Sequence, residues 1–258
     1  MSLRFLSIGA ALAALGTAPA AAQECGAAVP GVVFAGCPGE TVAALSLVGE
    51  GGVAPQASLT ALQRITVTGA YTSGEKREPE GMFIVAGVPL DPYPQGWDGV
   101  VVIDGQGRLS LHYAERVDIG AERFNLRRKP SRRAFVQAAK GGGWSAFQSH
   151  MLVIDGTVDT RPRDNAPRFA RRLLYTLQDG TIGIFETPSM TLHDAALAIE
   201  AALSPVMALN LDMGSYDYCR IEGERARMCG ALVATQTAKL SNLLTLSRGT
   251  AEDVAGVE

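Results

Sequence analysis

Gly99-Val100-Val101-Val102-Ile103-Asp104-Gly105-Gln106-Gly107-Arg108-Leu109-Ser110-Leu111-His112-Tyr113 reads as two apolar strands joined by a tight turn. An Asp-Gly pair between β-branched and apolar runs signals a hairpin, because glycine reaches the positive φ such turns need. The unit recurs. Met151 to Ile154 runs into Asp155-Gly156, and residues 173–177 connect through Asp179-Gly180 to residues 181–185. Further strands are expected at 65–67, 69–71, 82–85 and 243–246, and residues 38–60 read as a short strand or helix followed by a Gly/Pro-rich loop. One long helix is legible: Thr191 and Asp194 form a capping box ahead of Leu192, Ala195, Ala196, Ile199, Ala202 and Leu203, and Ser204-Pro205 stops it. A second helix is expected near 131–139. Many hairpins with few helices argue against a doubly wound parallel sheet. They argue for a single α+β domain of mixed or mainly antiparallel β-sheets with a few packed helices.

The first residues carry Arg4, an apolar run over 5–15, and Ala20-Ala21-Ala22. This is the pattern of a secretory signal cleaved after Ala22, with a retained anchor as the alternative. No lipobox precedes Cys25. The product is expected in the periplasm or outside the cell, with no stable membrane insertion after cleavage. The layout expected is a signal peptide over 1–22, a disulfide-stapled extension over 23–63, the main domain over 64–247 and a polar tail over 248–258. The chain has 23 basic and 26 acidic residues, and loss of Arg4 leaves 22 basic ones. With no basic tail or basic-aromatic stripe, nucleic acid is not an expected partner. The arginine-rich stretch 123–133 reads as a solvated face in preference to a polyanion site. In an oxidising compartment the four cysteines are expected to form two local disulfides, Cys25 with Cys37 and Cys219 with Cys229. His112, His150 and His193 lie far from both pairs in sequence, so zinc is a minor reading. No cofactor is expected, and a divalent metal stays open.

The chain carries its most site-like signal at Met207-Ala208-Leu209-Asn210-Leu211-Asp212-Met213-Gly214-Ser215, an apolar run ending in a carboxylate and a glycine turn. A strand over 206–211 would deliver Asn210 and Asp212 to a sheet rim on the same side, where an acid and an amide are costly unless paired or used. His150, at the start of an apolar strand, is a candidate general acid or a packed edge residue. Tyr71, Trp97 and Trp144 could stack on a sugar or belong to the core. Asp217 and Glu186 are weaker carboxylate candidates.

The ordered motifs over roughly 64–247 resemble the phosphodiester glycosidase family. The family's early N-G-G-F-F-like turn falls on Thr68-Gly69-Ala70-Tyr71-Thr72, and its Gln-led segment on Gln148-Ser149-His150-Met151-Leu152. The family's arginine falls on Arg171 or its neighbour Arg172. The strand ending A-L-N-L-D-G-G-G-S-S falls on Ala208 to Asp217, and a near-terminal V-P-N-L pattern is echoed by Leu240-Ser241-Asn242-Leu243. The departures are Thr68 for asparagine, Met213 for glycine, and Tyr216 and Asp217 for two serines.

The resemblance implies a secreted or periplasmic hydrolase of a glycosyl phosphodiester or related glycan. Asp212, His150 and Arg171 would be catalytic, and Asn210, Gly214, Ser215, Gly69, Tyr71, Gln148 and Arg172 would bind substrate. The altered turns leave open a catalytically inactive member that binds a glycan or a protein partner. No G-x-S-x-G elbow or H-E-x-x-H stretch supports a protease.

Overall fold

A computed structural model of the chain describes residues 29–49, 63–223 and 226–249. Gly99–Ile103 and Leu109–Tyr113 pair antiparallel, with Ile103 opposite Leu109 and Gly99 opposite Tyr113. Asp104 Oδ1 closes their turn by accepting from the N–H groups of Gln106 and Arg108, and the positive φ falls on Gly107, not on Gly105. Met151–Ile154 pairs with Thr157–Val158 across Asp155 and Gly156, both at positive φ. The third hairpin joins Phe169–Thr176 to Ile182–Met190.

Among the described residues the strands form three antiparallel sheets of five or six strands and one two-stranded ribbon. The largest runs in the order Val32–Gly36, Ile182–Met190, Phe169–Thr176, Met207–Asn210, Met151–Ile154, Thr157–Val158. A second runs Val88–Asp91, Phe83–Val85, Ser145–Ser149, Gly99–Ile103, Leu109–Tyr113, and a third Arg227–Met228, Cys219–Glu222, Arg64–Thr68, Asn242–Arg248, Thr41–Leu47. Val117–Ile119 and Glu122–Phe124 form a separate ribbon. The α+β reading therefore stands, with every strand pairing antiparallel.

The three sheets enclose one core, to which Val67 and Leu244, Val101 and Phe147, and Leu174 and Leu209 contribute from the third, second and first sheets. Two helices cover outer faces. Helix α1, Lys129–Gly142, sets Phe135 and Ala139 against Ile84, Val100 and Val102. Helix α2, Leu192–Leu203, sets Ala195, Ala196 and Ile199 against Leu152, Leu173 and Ala208. Gly99–Ile103 is thus buried on both faces, which explains an uninterrupted apolar run in an antiparallel strand. The capping box forms as read, with Asp194 N–H donating to Thr191 Oγ1 at 3.0 Å.

Some expectations change. Residues 69–71 form a clamped turn, not a strand, and the helix expected near 131–139 is longer. Within the stretch read as an extension, Val32–Gly36 and Thr41–Leu47 are strands of the first and third sheets. The Cys219–Cys229 disulfide is present, with Cys219 fully buried. Cys25, and with it the Cys25–Cys37 pairing, lies outside the described residues, as do the signal segment and residues 50–62 and 250–258. Among the described residues no helix is long and apolar enough to cross a membrane.

Candidate functional site

His150 sits where the chain leaves the second sheet at Ser149 and enters the first at Met151. The opposing Gly99 is required there, because a Cβ on it would lie 2.8 Å from Ser149 O and 3.2 Å from Met151 N. Asp98 Oδ1 accepts from Met151 N–H at 3.0 Å, and Asn210 N–H donates to His150 O at 2.9 Å, so both sides of the crossing are pinned. The third sheet brings up Tyr71. Beyond Arg64–Thr68 the turn is gripped by Asn242, whose Oδ1 accepts from Ala70 N–H at 2.8 Å and whose Nδ2 donates to Ala70 O at 2.9 Å. A Cβ on Gly69 would stand 2.7 Å from that Oδ1, so only glycine admits the clamp. Asn242 is fully buried. Asn242→Ala is therefore expected to cost about 1–3 kcal/mol by orphaning the Ala70 amide and carbonyl, read as a lower urea midpoint at unchanged m-value.

Asp212 and Asn210 end the central strand of the first sheet at this junction. Asp212 is 7% exposed, and its Oδ2 accepts from Thr72 N–H at 2.9 Å. Burial pushes its pKa up to about 7, opposed by hydrogen bonds from Thr72 and Met213. Asn210 Nδ2 donates to Leu211 O and to Tyr71 Oη, both at 2.8 Å. A carbonyl can only be met by the amide nitrogen, so the amide orientation is fixed. Asn210 Oδ1 is left buried and without a partner among the described residues.

Tyr71 Oη, which accepts from Asn210 and also bonds Ser149, lies 2.9 Å from His150 Nδ1, an arrangement in which Tyr71 can donate its proton to that nitrogen. Neutral His150 then carries its proton on Nε2. Burial lowers the His150 pKa, favouring the neutral ring. A neutral imidazole whose Nδ1 accepts from Tyr71 can donate a hydrogen bond from Nε2. Tyr71, Trp97 and His150 pack as a ring cluster, with centroids 4.8 Å apart for Tyr71–Trp97 and 5.5 Å for Tyr71–His150.

Beside this cluster opens a cleft of about 670 Å³ whose lining includes His150, Arg171, Arg161, Arg163, Asp98 and Asp159. Strand register places Leu173 opposite Asn210, and alternation puts Arg171 on the same face. Arg171 makes only long contacts, to Pro167 O at 3.3 Å and Met190 O at 3.4 Å, and stacks over Phe169. None of the three cleft arginines has an ion-pair partner among the described residues. Asp159 is hydrogen-bonded to Asp98, and burial together with the Asp98 charge raises its pKa. Arg161 also acts on Asp159, so the cleft is of mixed charge, with three guanidinium groups that could meet an anionic group.

Several other expected site residues are engaged in the fold. Gln148 is fully buried; its Oε1 accepts from Met82 and Gln95 N–H and its Nε2 donates to Trp97 O, so it holds the 95–97 loop. Arg172 faces the opposite way from Arg171 and is fully buried against Glu186, Asp217 and Tyr218 O. Both weaker carboxylate candidates are thereby ion-pair partners, and Asp217 Oδ2 also accepts from Ala231 N–H. Thr68 bonds Tyr216 O and Tyr218 N–H. Trp144 packs on Phe135. Gly214 and Ser215 are exposed in the turn Gly214–Tyr216 that follows Asp212. Asp98, Asp159, Arg161 and His193 were not singled out from sequence. The signal for Asp98 was available, since it abuts a buried apolar strand just as Asp212 does. Among the described residues no three His, Cys, Asp or Glu side chains converge as a metal site would require.

The sequence matches no family and no curated protein. Among solved structures the fold is similar to the catalytic domain of zebrafish N-acetylglucosamine-1-phosphodiester alpha-N-acetylglucosaminidase auto-inhibited by its pro-peptide, at 10% identity and a TM-score of 0.47 over 79% of this chain and 87% of that one. It is also similar to a hypothetical protein from Synechocystis, at 10% identity and a TM-score of 0.45 over 81% of this chain and 57% of that one. These likenesses are at the level of the fold alone.

Proposed function

We propose that this protein is a hydrolase acting outside the cytoplasm on a sugar-1-phosphodiester or related glycan linkage. The observation that carries this reading is a cleft lined by His150, Arg171, Arg161 and Arg163, with a buried carboxyl, Asp212, its pKa pushed up to about 7, in the neighbouring Tyr71–Asn210 cluster. The sequence motifs suggest the substrate class, and the disulfide accords with an oxidising compartment.

In the proposed reaction, a phosphomonoester leaves readily, being weakly basic, whereas the attacking water must lose a proton. A carboxylate whose pKa lies near 7 is a far stronger base than an ordinary aspartate and is still half ionised at neutral pH. Asp212 therefore takes the water proton as the water oxygen bonds to C1. The C1–O electron pair departs with the phosphate, whose charge falls to Arg171, Arg161 and Arg163. His150 Nε2–H donates to a phosphate oxygen, and the unpaired Asn210 Oδ1 accepts from a sugar hydroxyl.

Tyr71→Phe tests the arrangement without touching Asp212. It removes the proton that holds His150 Nδ1 as an acceptor, so kcat on a glycosyl-1-phosphomethyl ester should fall about ten- to a hundredfold, with the circular dichroism spectrum unchanged. Equal turnover in wild type and variant would remove His150 and Tyr71 from the mechanism. A wild type inert toward every such ester, yet binding a glycan in the cleft, would assign the site to recognition without catalysis.

A further inference from the structure

Four exposed arginines sit in ion pairs: Arg108 with Asp104, Arg116 with Asp155, Arg123 with Asp118 and Arg168 with Asp194. Lys129, Arg132 and Arg133 differ, having no carboxylate partner among the described residues, and α1, on which they lie, contains no acidic residue. With Tyr93, Pro92 and Val136 they line a groove of about 580 Å³. Tyr93 is 65% exposed, and the Arg132 guanidinium lies 5.7 Å from its ring centroid, held in turn by a bond from Nη1 to Leu126 O at 3.1 Å. The ring is thus braced from one side and open on the other. Asp91 Oδ1 accepts from Tyr93 N–H at 2.8 Å, and Asp91 does not line the groove.

We propose that this groove binds a stretch of acidic polysaccharide, with the Tyr93 ring stacking on a sugar face and Lys129, Arg132 and Arg133 meeting its carboxylate or phosphate groups. An aromatic plate flanked by unpaired cations in a concavity suits a ligand that alternates apolar ring faces with negative charges. A single plate does not suit single-stranded nucleic acid, which is gripped by successive stacking platforms along a basic track. A concave wall does not suit a planar bilayer.

The groove is mechanically joined to the candidate site. Arg127 donates to the carbonyls of Gln95, Gly96 and Trp97 at 2.6, 3.2 and 2.8 Å, and Gln148 holds the same loop through Gln95 N–H and Trp97 O. A fixed loop therefore carries Tyr93 at one end and Trp97, in the Tyr71–His150 cluster, at the other. Four residues span at most about 14 Å. A glycan chain lying along this loop would meet both places. The inference does not depend on bond cleavage in the cleft.

The test is binding of an alginate hexasaccharide by the full chain, measured by calorimetry at low salt beside neutral maltohexaose, a deoxythymidine 12-mer and phosphatidylglycerol vesicles. Alginate should bind and maltohexaose should not. Tyr93→Ala and the pair Arg132→Ala/Arg133→Ala should each weaken alginate binding about tenfold, while Arg171→Ala in the cleft weakens it less. Raising the salt should weaken it further. Tyr93 and Arg133 are exposed, and an unchanged melting temperature confirms folding of their variants. Alginate that fails to bind, or binds all groove variants equally, overturns the proposal. So does tighter binding of the 12-mer or of the vesicles that Tyr93→Ala abolishes.

Discussion

Asp212→Asn is expected to lower kcat about 10²–10⁴-fold while leaving the fold intact. The amide is isosteric and its oxygen can still accept from Thr72 N–H, so the turn is preserved while the base is lost. The wild-type profile should rise with pH through an inflection near 7, the value to which burial pushes Asp212, and the residual activity of the variant should lack that limb. The same shift has a stability consequence of definite sign. A carboxyl whose folded pKa lies above its unfolded value of about 3.9 binds its proton more tightly when folded. Its contribution is thus fully present below about pH 4, is lost as pH rises toward 7, and stays lost above. Asp212→Asn removes that loss, so at pH 8 the variant should be at least as stable as wild type while nearly inert. Urea melts at pH 5 and pH 8 beside a pH–rate profile check both halves, and a variant that is active, or that is destabilised more at pH 8 than at pH 5, contradicts the base assignment.

Arg172→Met is expected to cost about 3–5 kcal/mol of folding stability, the largest effect foreseen for any surface-remote position. The guanidinium is fully buried; it donates to Glu186 Oε1 from Nε at 2.8 Å and from Nη2 at 2.5 Å, and to Tyr218 O at 3.1 Å, with Asp217 Oδ1 2.9 Å from Nη2. Methionine fills the space but leaves two partly buried carboxylates and a carbonyl without their guanidinium partner. The damage should spread to the 217–232 loop, because Asp217 also holds Ala231 and Leu232 through its side chain and carbonyl. Neutralising the partners with Glu186→Gln and Asp217→Asn in the same chain should recover a large part of the loss. By contrast Arg168→Ala, breaking an exposed pair with Asp194, should cost less than about 1 kcal/mol. Equal urea midpoints for the single and triple variants would show that packing, not uncompensated charge, sets the cost.

The contrast between Arg171 and Arg172 shows where sequence stops informing. The Asp-Gly hairpins and the Thr191 cap were legible because each signal lies within a few residues of the structure it causes. A strand alternates faces, so one of two adjacent arginines must point inward, yet nothing local says which. The register of Leu173 opposite Asn210 decides it, and that register belongs to the assembled sheet. The local pattern of 69–71 suggests a strand, whereas the family resemblance places a turn on 68–72; the turn is what forms, because its clamp is Asn242, about 170 positions along the chain. The placement of Asn210 at the end of a strand and of Asp212 just beyond it was legible from the apolar run alone. The proton order running from Asn210 through Tyr71 to His150 was not, because it needs three elements brought together from three sheets.

The central claim is cleavage of a C1–O bond at the Asp212 cleft. Turnover of a glycosyl-1-phosphomethyl ester in ¹⁸O-labelled water, with both products weighed by mass spectrometry, tests it most directly. The account predicts label in the anomeric hydroxyl of the freed sugar and none in the phosphomonoester. Label in the phosphate would mean attack at phosphorus and would contradict it.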